Sequence, residues 1–269
     1  MTTRRVKAFE HGLVVNPDAQ GNTVIMLHHA GATAASLLAL ARGLPSHHRV
    51  VLVDRAGRGV RSREKRVETF EGVSNDLVNV VAPFTDRPTI LFGHSMGAML
   101  AHELAVELLS RGTPPSSVLL SGTHPTRSEL TDLDLSASHV VADRLERLGG
   151  TPPEVLADPA LLELAVEIFT DDLLILRTYT APTPLPPGTG IRHHLWLGAD
   201  DPTLSVLDDG LWRDRAGVAA EVTLFSGGHF FLFENPRVPD ALAHFVSTET
   251  KPPEKRLATT PEPPKERRP

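Results

Sequence analysis

Cysteine is absent from the 269 residues. Disulfides, zinc–thiolate sites, iron–sulfur clusters and cysteine nucleophiles are excluded together. No uncharged apolar stretch approaches the roughly 18 residues that a spanning helix needs, so an integral membrane protein is not expected. The opening Met1-Thr2-Thr3-Arg4-Arg5-Val6-Lys7 is basic but has no apolar run behind it. No secretory signal is read there, and the cytoplasm is the expected compartment. A basic excess is also missing: 27 Lys and Arg face 33 Asp and Glu, a net charge of −6, which speaks against a nucleic-acid binder. Internal repeats are absent as well.

What is present is enough apolar material, 41% of the residues, to build a buried core. Short β-branched runs alternate with longer helical patterns. Strands are predicted over residues 23–28, 50–53, 89–92, 117–120, 194–197 and 221–225, apolar on both faces as buried parallel strands are. Helices are predicted over 33–43, 68–82, 96–110, 204–215 and 238–246. The expected fold class is α/β, a mainly parallel sheet flanked by helices.

Between Gly122 and Ile191 no good strand can be found. Helical patterns at Ser138–Leu148, Pro159–Thr170 and Asp171–Tyr179 are punctuated by prolines. A stretch this long is a subdomain and not a loop. The expected organisation is a core of residues 1–122 and 191–250, a helical lid of residues 123–190, and a basic, proline-rich tail of residues 251–269. The lid carries four arginines and eleven carboxylates, a net −7. The tail has six bases against three acids and one large apolar residue, Leu257, too little to fold around.

Gly93-His94-Ser95-Met96-Gly97 follows a predicted strand and opens a predicted helix. That is the setting of a nucleophile elbow, with Ser95 as the candidate nucleophile. His229, in Gly227-Gly228-His229-Phe230-Phe231, lies just past the last predicted strand and is the candidate base. Thirteen histidines are present, and most have plainer readings: His47 and His48 suit a loop and His102 a helix. His28, His29, His193 and His194 stand at the ends of two strands, without the carboxylate pattern of a metal site; no metal is expected. The acid falls in Gly198-Ala199-Asp200-Asp201-Pro202. Pro202 suits a first helical position, so Asp201 could serve only as a cap. The frequent acid-loop pattern, Asp three after Gly, selects Asp201 over Asp200. The order Ser95, Asp201, His229 is that of the α/β-hydrolases. An oxyanion hole needs two backbone N–H groups, and Met96 and Ala30 are the candidates.

These motifs together resemble a family. His29-Ala30-Gly31, Gly57-Arg58-Gly59 with Arg61, Gly93-His94-Ser95-Met96-Gly97-Ala98, Gly198 with Asp201, and Gly227-Gly228-His229-Phe230-Phe231-Leu232 look like the type II thioesterases that accompany modular polyketide synthases and nonribosomal peptide synthetases. The resemblance covers roughly residues 9–247. His28, Ala32 and Ala56 stand where the family often has Pro, Gly and Pro. The resemblance implies that Ser95 attacks an acyl thioester on the phosphopantetheine arm of a carrier protein, and that water activated at His229 releases the acid. The usual role is editing of aberrant or stalled acyl groups. It implies acyl or peptidyl carrier domains as partners, no cofactor beyond the phosphopantetheine that the substrate brings, no nucleic acid or membrane partner, and a monomer. Other readings are an esterase or lactonase for small free substrates, and a binding protein without activity.

Carrier proteins of these synthases are generally acidic, so positive potential is the expected docking feature. Arg55, Arg58, Arg61, Arg63, Lys65 and Arg66 place six bases within twelve residues, opposed by Glu64. They follow the strand 50–53 toward the sheet edge where Ser95 is expected. The same residues could equally be a solvated loop.

Overall fold

The computed structural model describes residues 4–125, 133–204 and 206–249. The tail expected over 251–269 and part of the lid segment lie outside these. Eight strands form a single sheet in the order β1-β2-β4-β3-β5-β6-β7-β8. They are β1 (Val6–Phe9), β2 (Gly12–Val15), β3 (Thr23–Leu27), β4 (Arg49–Val53), β5 (Thr89–His94), β6 (Ser117–Ser121), β7 (Arg192–Gly198) and β8 (Ala220–Phe225). The pairs β1/β2 and β2/β4 are antiparallel, and every pair from β4 to β8 is parallel.

Strand alternation divides the sheet between two apolar clusters. Ile25, Val51, Leu91, Val118 and Leu195 enter one cluster, which also holds residues of α2 (Phe70–Val81) and α3 (Met96–Ser110). Their neighbours Val24, Val50, Ile90, Leu119 and Trp196 enter the other, against α1 (Leu38–Gly43) and α8 (Val238–Thr248). Every residue of β3, β5 and β6 is buried, which explains why those strands read as unbroken apolar runs.

The segment between β6 and β7 is helical where described: α4 (Ser138–Leu148), α5 (Pro153–Ala157) and α6 (Pro159–Arg177). Asp158 caps α6, accepting from the amides of Ala160 at 2.9 Å and Leu161 at 3.2 Å. Val141, Val166, Phe169, Leu173 and Leu176 join the α2/α3 cluster. The insertion therefore sits on the sheet's own core.

Three expectations change, and one element is new. The patterns at 159–170 and 171–179 are one continuous helix, because neither Thr170 nor Asp171 interrupts the backbone ladder as Gly or Pro would. The helix expected from Leu204 begins only at Gly210, as α7 (Gly210–Ala216). Asp209 precedes it and accepts from the Ala220 amide at 3.0 Å, while Asp208 takes the Gly210 amide at 2.7 Å. The helix expected over 33–43 opens with a 3₁₀ turn at Ala34–Leu37 before α1. The β1–β2 hairpin was not expected at all: two four-residue strands, one of them largely exposed, carry too little periodicity to read.

Candidate active site

Ser95 lies between the end of β5 and the first turn of α3, with φ 54° and ψ −118°. A non-glycine residue there is strained by about 1–3 kcal/mol and must be held. The Ser95 amide donates to the Ser121 carbonyl at 2.8 Å, and the Ser95 carbonyl accepts from the Ala98 amide at 2.9 Å. The flanking glycines are steric necessities. A Cβ on Gly93 would lie 2.0 Å from the Gly97 carbonyl oxygen, and one on Gly97 would lie 2.3 Å from the Leu27 carbonyl oxygen. The elbow closes because both are absent.

His229 reaches Ser95 from the loop after β8. The Ser95 hydroxyl donates to Nε2 at 3.0 Å, and Nδ1–H donates to Asp201 Oδ2 at 2.8 Å. Asp201, after β7, has a fully buried carboxylate. Its other oxygen, Oδ1, accepts from the Thr203 amide at 2.9 Å and the Thr203 hydroxyl at 2.8 Å. No helix opens at Pro202; Asp201 closes a turn over Pro202 and Thr203 and orients His229 as well. Burial alone would raise its pKa, but the bonds from His229 and Thr203 hold it below the usual carboxylate range. Asp200 is exposed, and its carboxylate meets the Gly227 amide at 3.3 Å. Thr203 went unnoticed in the sequence, where nothing distinguishes it from any loop threonine.

Two more imidazoles crowd this end of the sheet. The His94 ring centroid is 5.2 Å from that of His229, and His29 is 5.8 Å from His94. Burial pushes His29 down to about 3 and His94 well below its ordinary value. Both are neutral at physiological pH and add no positive charge beside a His229 that must accept a proton. His193 and His194 lie at the opposite end of the sheet, at the start of β7. Among the described residues no group of three or more His, Cys, Asp or Glu is placed to hold a metal ion.

A cleft with about 670 Å³ of open space, its mouth included, lies over the serine. Ser95, His229, Ala30 and Met96 line its floor, so both candidate oxyanion donors stand beside the nucleophile. Phe169, Leu173 and Leu176 from α6 and Met99 from α3 give an apolar wall, with Arg144 and His124 at its polar part.

The basic segment 55–66 divides, and half of the expected docking set is corrected. Arg55, Arg58 and Arg61 are 4%, 7% and 4% exposed, so an incoming protein cannot touch them. Arg55 and Arg58 converge on Asp172 of α6 at 2.6 and 2.8 Å. Arg61 makes paired contacts with Asp76 and Glu64. Arg66 is exposed but ion-paired with Asp171 of α6. Arg63 and Lys65 are exposed. Apart from Glu64, the partners are acids distant in the chain, which a count of local charge does not register.

The order in which the sheet delivers serine, acid and histidine separates this molecule from the other serine-triad folds, and the fold is that of the α/β-hydrolases. Comparison with known proteins narrows the class: the chain matches the thioesterase domain family over residues 22–250 and belongs to it. It is 29% identical over 219 residues to a probable cadicidin biosynthesis thioesterase of Streptomyces griseus, a match covering 81% of this chain and 60% of that protein. The chain thus spans less than two thirds of that relative's length. Among solved structures it is similar to the type II thioesterase BorB from the borrelidin biosynthetic cluster, with TM-score 0.71, 27% identity, and 87% of this chain and 95% of that one covered. The thioesterase RedJ from the prodiginine pathway of Streptomyces coelicolor gives TM-score 0.71 and 25% identity, covering 90% and 94%. No described helix is long and apolar enough to cross a membrane.

Proposed function

We propose that this protein is a cytoplasmic serine thioesterase of the type II class, which hydrolyses acyl groups from the phosphopantetheine arms of carrier proteins in polyketide or nonribosomal peptide assembly. The observation that carries the reading is the hydrogen-bonded series Ser95–His229–Asp201 at the floor of an apolar cleft, in a chain of the thioesterase family. The similar structures named as thioesterases of biosynthetic pathways support the substrate class.

The geometry performs the reaction in two halves. Ser95 Oγ adds to the thioester carbonyl while its proton passes to His229 Nε2. Asp201, ionised, stabilises the imidazolium through Nδ1–H. The Ala30 and Met96 amides receive the developing oxyanion. Collapse breaks the C–S bond, and the pantetheine sulfur leaves with the proton from Nε2. A water then gives its proton to Nε2 and adds to the acyl-serine, and a second collapse returns the proton to Ser95 Oγ and frees the acid. No cofactor enters any step. The apolar faces of Phe169, Leu173 and Leu176 suit an alkyl chain.

For docking, Arg63 and Lys65 remain as exposed bases on a loop that Arg66 ties to α6, the helix that walls the cleft. An acidic carrier would meet positive potential there.

The test is turnover of one carrier protein loaded with a panel of acyl groups, set against simple oxygen esters of the same acids. Faster release from the carrier is expected. Hydrolysis of the free esters with the loaded carrier left intact would overturn the reading in favour of a small-molecule esterase.

A further inference from the structure

The loop that supplies Ala30 is pinned on both sides of that residue. On one side, the His29 carbonyl accepts from His28 Nδ1 at 2.8 Å and from the Ala32 amide at 3.3 Å. Burial and the nearby Arg55 guanidinium push His28 down to about 4, so the ring is neutral, and this contact assigns its proton to Nδ1. A trans peptide directs its N–H opposite its carbonyl, so the Ala30 N–H points away from these donors. On the other side, the Gly31 amide donates to Asp172 Oδ2 at 2.7 Å. Only the two soft torsions of Ala30 separate these peptide planes. Holding both planes therefore fixes the direction of the Ala30 N–H.

Asp172 belongs to α6 and has a fully buried side chain that no step of the proposed reaction uses. Its second oxygen is bridged by Arg55 and Arg58, and Arg58 also donates to the Ile168 carbonyl of α6 at 2.6 Å. Burial would raise this carboxyl, but the two guanidinium groups and the Gly31 amide hold it ionised. One turn away on the same helix, Phe169 packs against Gly31, whose φ of +81° excludes most side chains. Phe169, Leu173 and Leu176 meanwhile form the cleft wall.

We propose that Asp172 is a positioning residue that orients the Ala30 amide toward the oxyanion and thereby ties one half of the oxyanion hole to the helix walling the acyl cleft. The proposal rests on the hydrolysis reading, in which Ala30 is one of the two donors. Seating of α6 and completion of the hole become one event: when α6 lifts, the Gly31 amide is released and Ala30 is held from one side only.

The test compares Asp172→Asn with Asp171→Asn. Asp171, on the same helix as Asp172, pairs with Arg66 and not with the Ala30 loop. With a small acyl thioester, Asp172→Asn is expected to lower kcat about 10- to 100-fold, less than deletion of a donor, with KM within twofold. Labelling of Ser95 by a fluorophosphonate is expected to slow in parallel, because the phosphoryl oxygen occupies the same hole. Asp171→Asn is expected to leave both rates unchanged. A raised KM at constant kcat, or labelling that ignores Asp172→Asn, overturns the proposal and leaves Asp172 as a packing residue. If wild-type protein takes the fluorophosphonate but releases nothing from a carrier, the hydrolysis reading fails while labelling still judges Asp172. Should Asp172→Asn not fold, uniformly ¹⁵N-labelled wild-type protein decides: the Gly31 amide is expected to exchange at the rate of the α6 amides. Exchange at Gly31 that outpaces α6 overturns the coupling.

Discussion

The carboxyl edge of the sheet and the helical insertion above it both line the same cleft, but different forces hold them. Ser95 hangs from β5, which with β3 and β6 is sealed between two apolar clusters and has no exposed residue, while Asp201 and His229 follow the neighbouring strands β7 and β8 toward the sheet's outer edge. The insertion buries one apolar side, yet Leu161, Leu164 and Leu174 of α6 are 45%, 51% and 47% exposed. Its seating depends on directional contacts: Asp172 with Arg55, Arg58 and Gly31, and the Thr178 hydroxyl accepting from the Phe70 amide at 2.8 Å. Burial is non-directional and spread over many residues. A few polar anchors can be released together. The nucleophile thus sits on a sealed strand and the substrate wall on a helix that a few polar anchors hold.

The largest expected effect is at the sheet edge. Ser95→Ala and His229→Ala are each expected to lower kcat by roughly 10³–10⁶, because triad members act as a unit. Asp201→Asn should approach that loss and Asp200→Asn change kcat less than about threefold, since only Asp201 touches the imidazole. Steady-state hydrolysis of one acyl-carrier substrate checks all four. Reversed behaviour of the two aspartates would mean that the buried pair is structural.

Hydrogen exchange tests the comparison directly. Amides of β5 are expected to exchange at least about 100-fold more slowly than those of α4, and bound acyl substrate to slow α4 alone. Equal protection in both regions would break the distinction drawn here.

Acid should strike the sheet first. Burial pushes His28 down to about 4 and both His29 and His193 to about 3. The folded pKa lies below the unfolded value near 6.5, so the unfolded chain binds more protons as pH falls. Stability from this source is complete above pH 6.5 and is lost from there toward pH 4, at up to about 1.4 kcal/mol per pH unit for each histidine. The lowered Asp201 and Asp172 add a further loss only in the more acid range, as pH falls through their depressed values. Urea midpoints at pH 7.5 and 5 measure it, and His193→Gln should flatten the slope. A midpoint indifferent to pH over that window would show that these imidazoles are solvated.

The smallest effect is expected at the rim. Arg63→Glu with Lys65→Glu should raise KM for an acyl carrier several-fold and leave a small thioester unaffected. Added salt should erase the difference, because both side chains are exposed and screened. Equal effects on both substrates would remove the docking role.

The divide between legible and illegible features runs along the same line. Gly93-His94-Ser95-Met96-Gly97 could be read because its geometry is local: each glycine is required by atoms within four residues or by the adjoining strand. His229 and Asp201 could be read because loops after parallel strands emerge at one edge, so chain order predicts convergence. Arg55, Arg58 and Arg61 misled because Asp172 and Asp76, which pair with them, lie elsewhere in the chain. Asp172, 141 residues from Gly31, had one signal, an acid in a helix otherwise apolar on that side.

By itself the sequence determined the alternation of strands and helices, the elbow, the order of the three reacting groups and the helical nature of the insertion, since periodicity, turn chemistry and motif spacing are properties of neighbouring residues. Only the tertiary structure decided which arginines are buried, which carboxylate neutralises them, and that the helix walling the cleft also holds the Ala30 loop. Those facts depend on what long-range packing brings within hydrogen-bond reach and removes from water, and the local sequence carries no record of that distance.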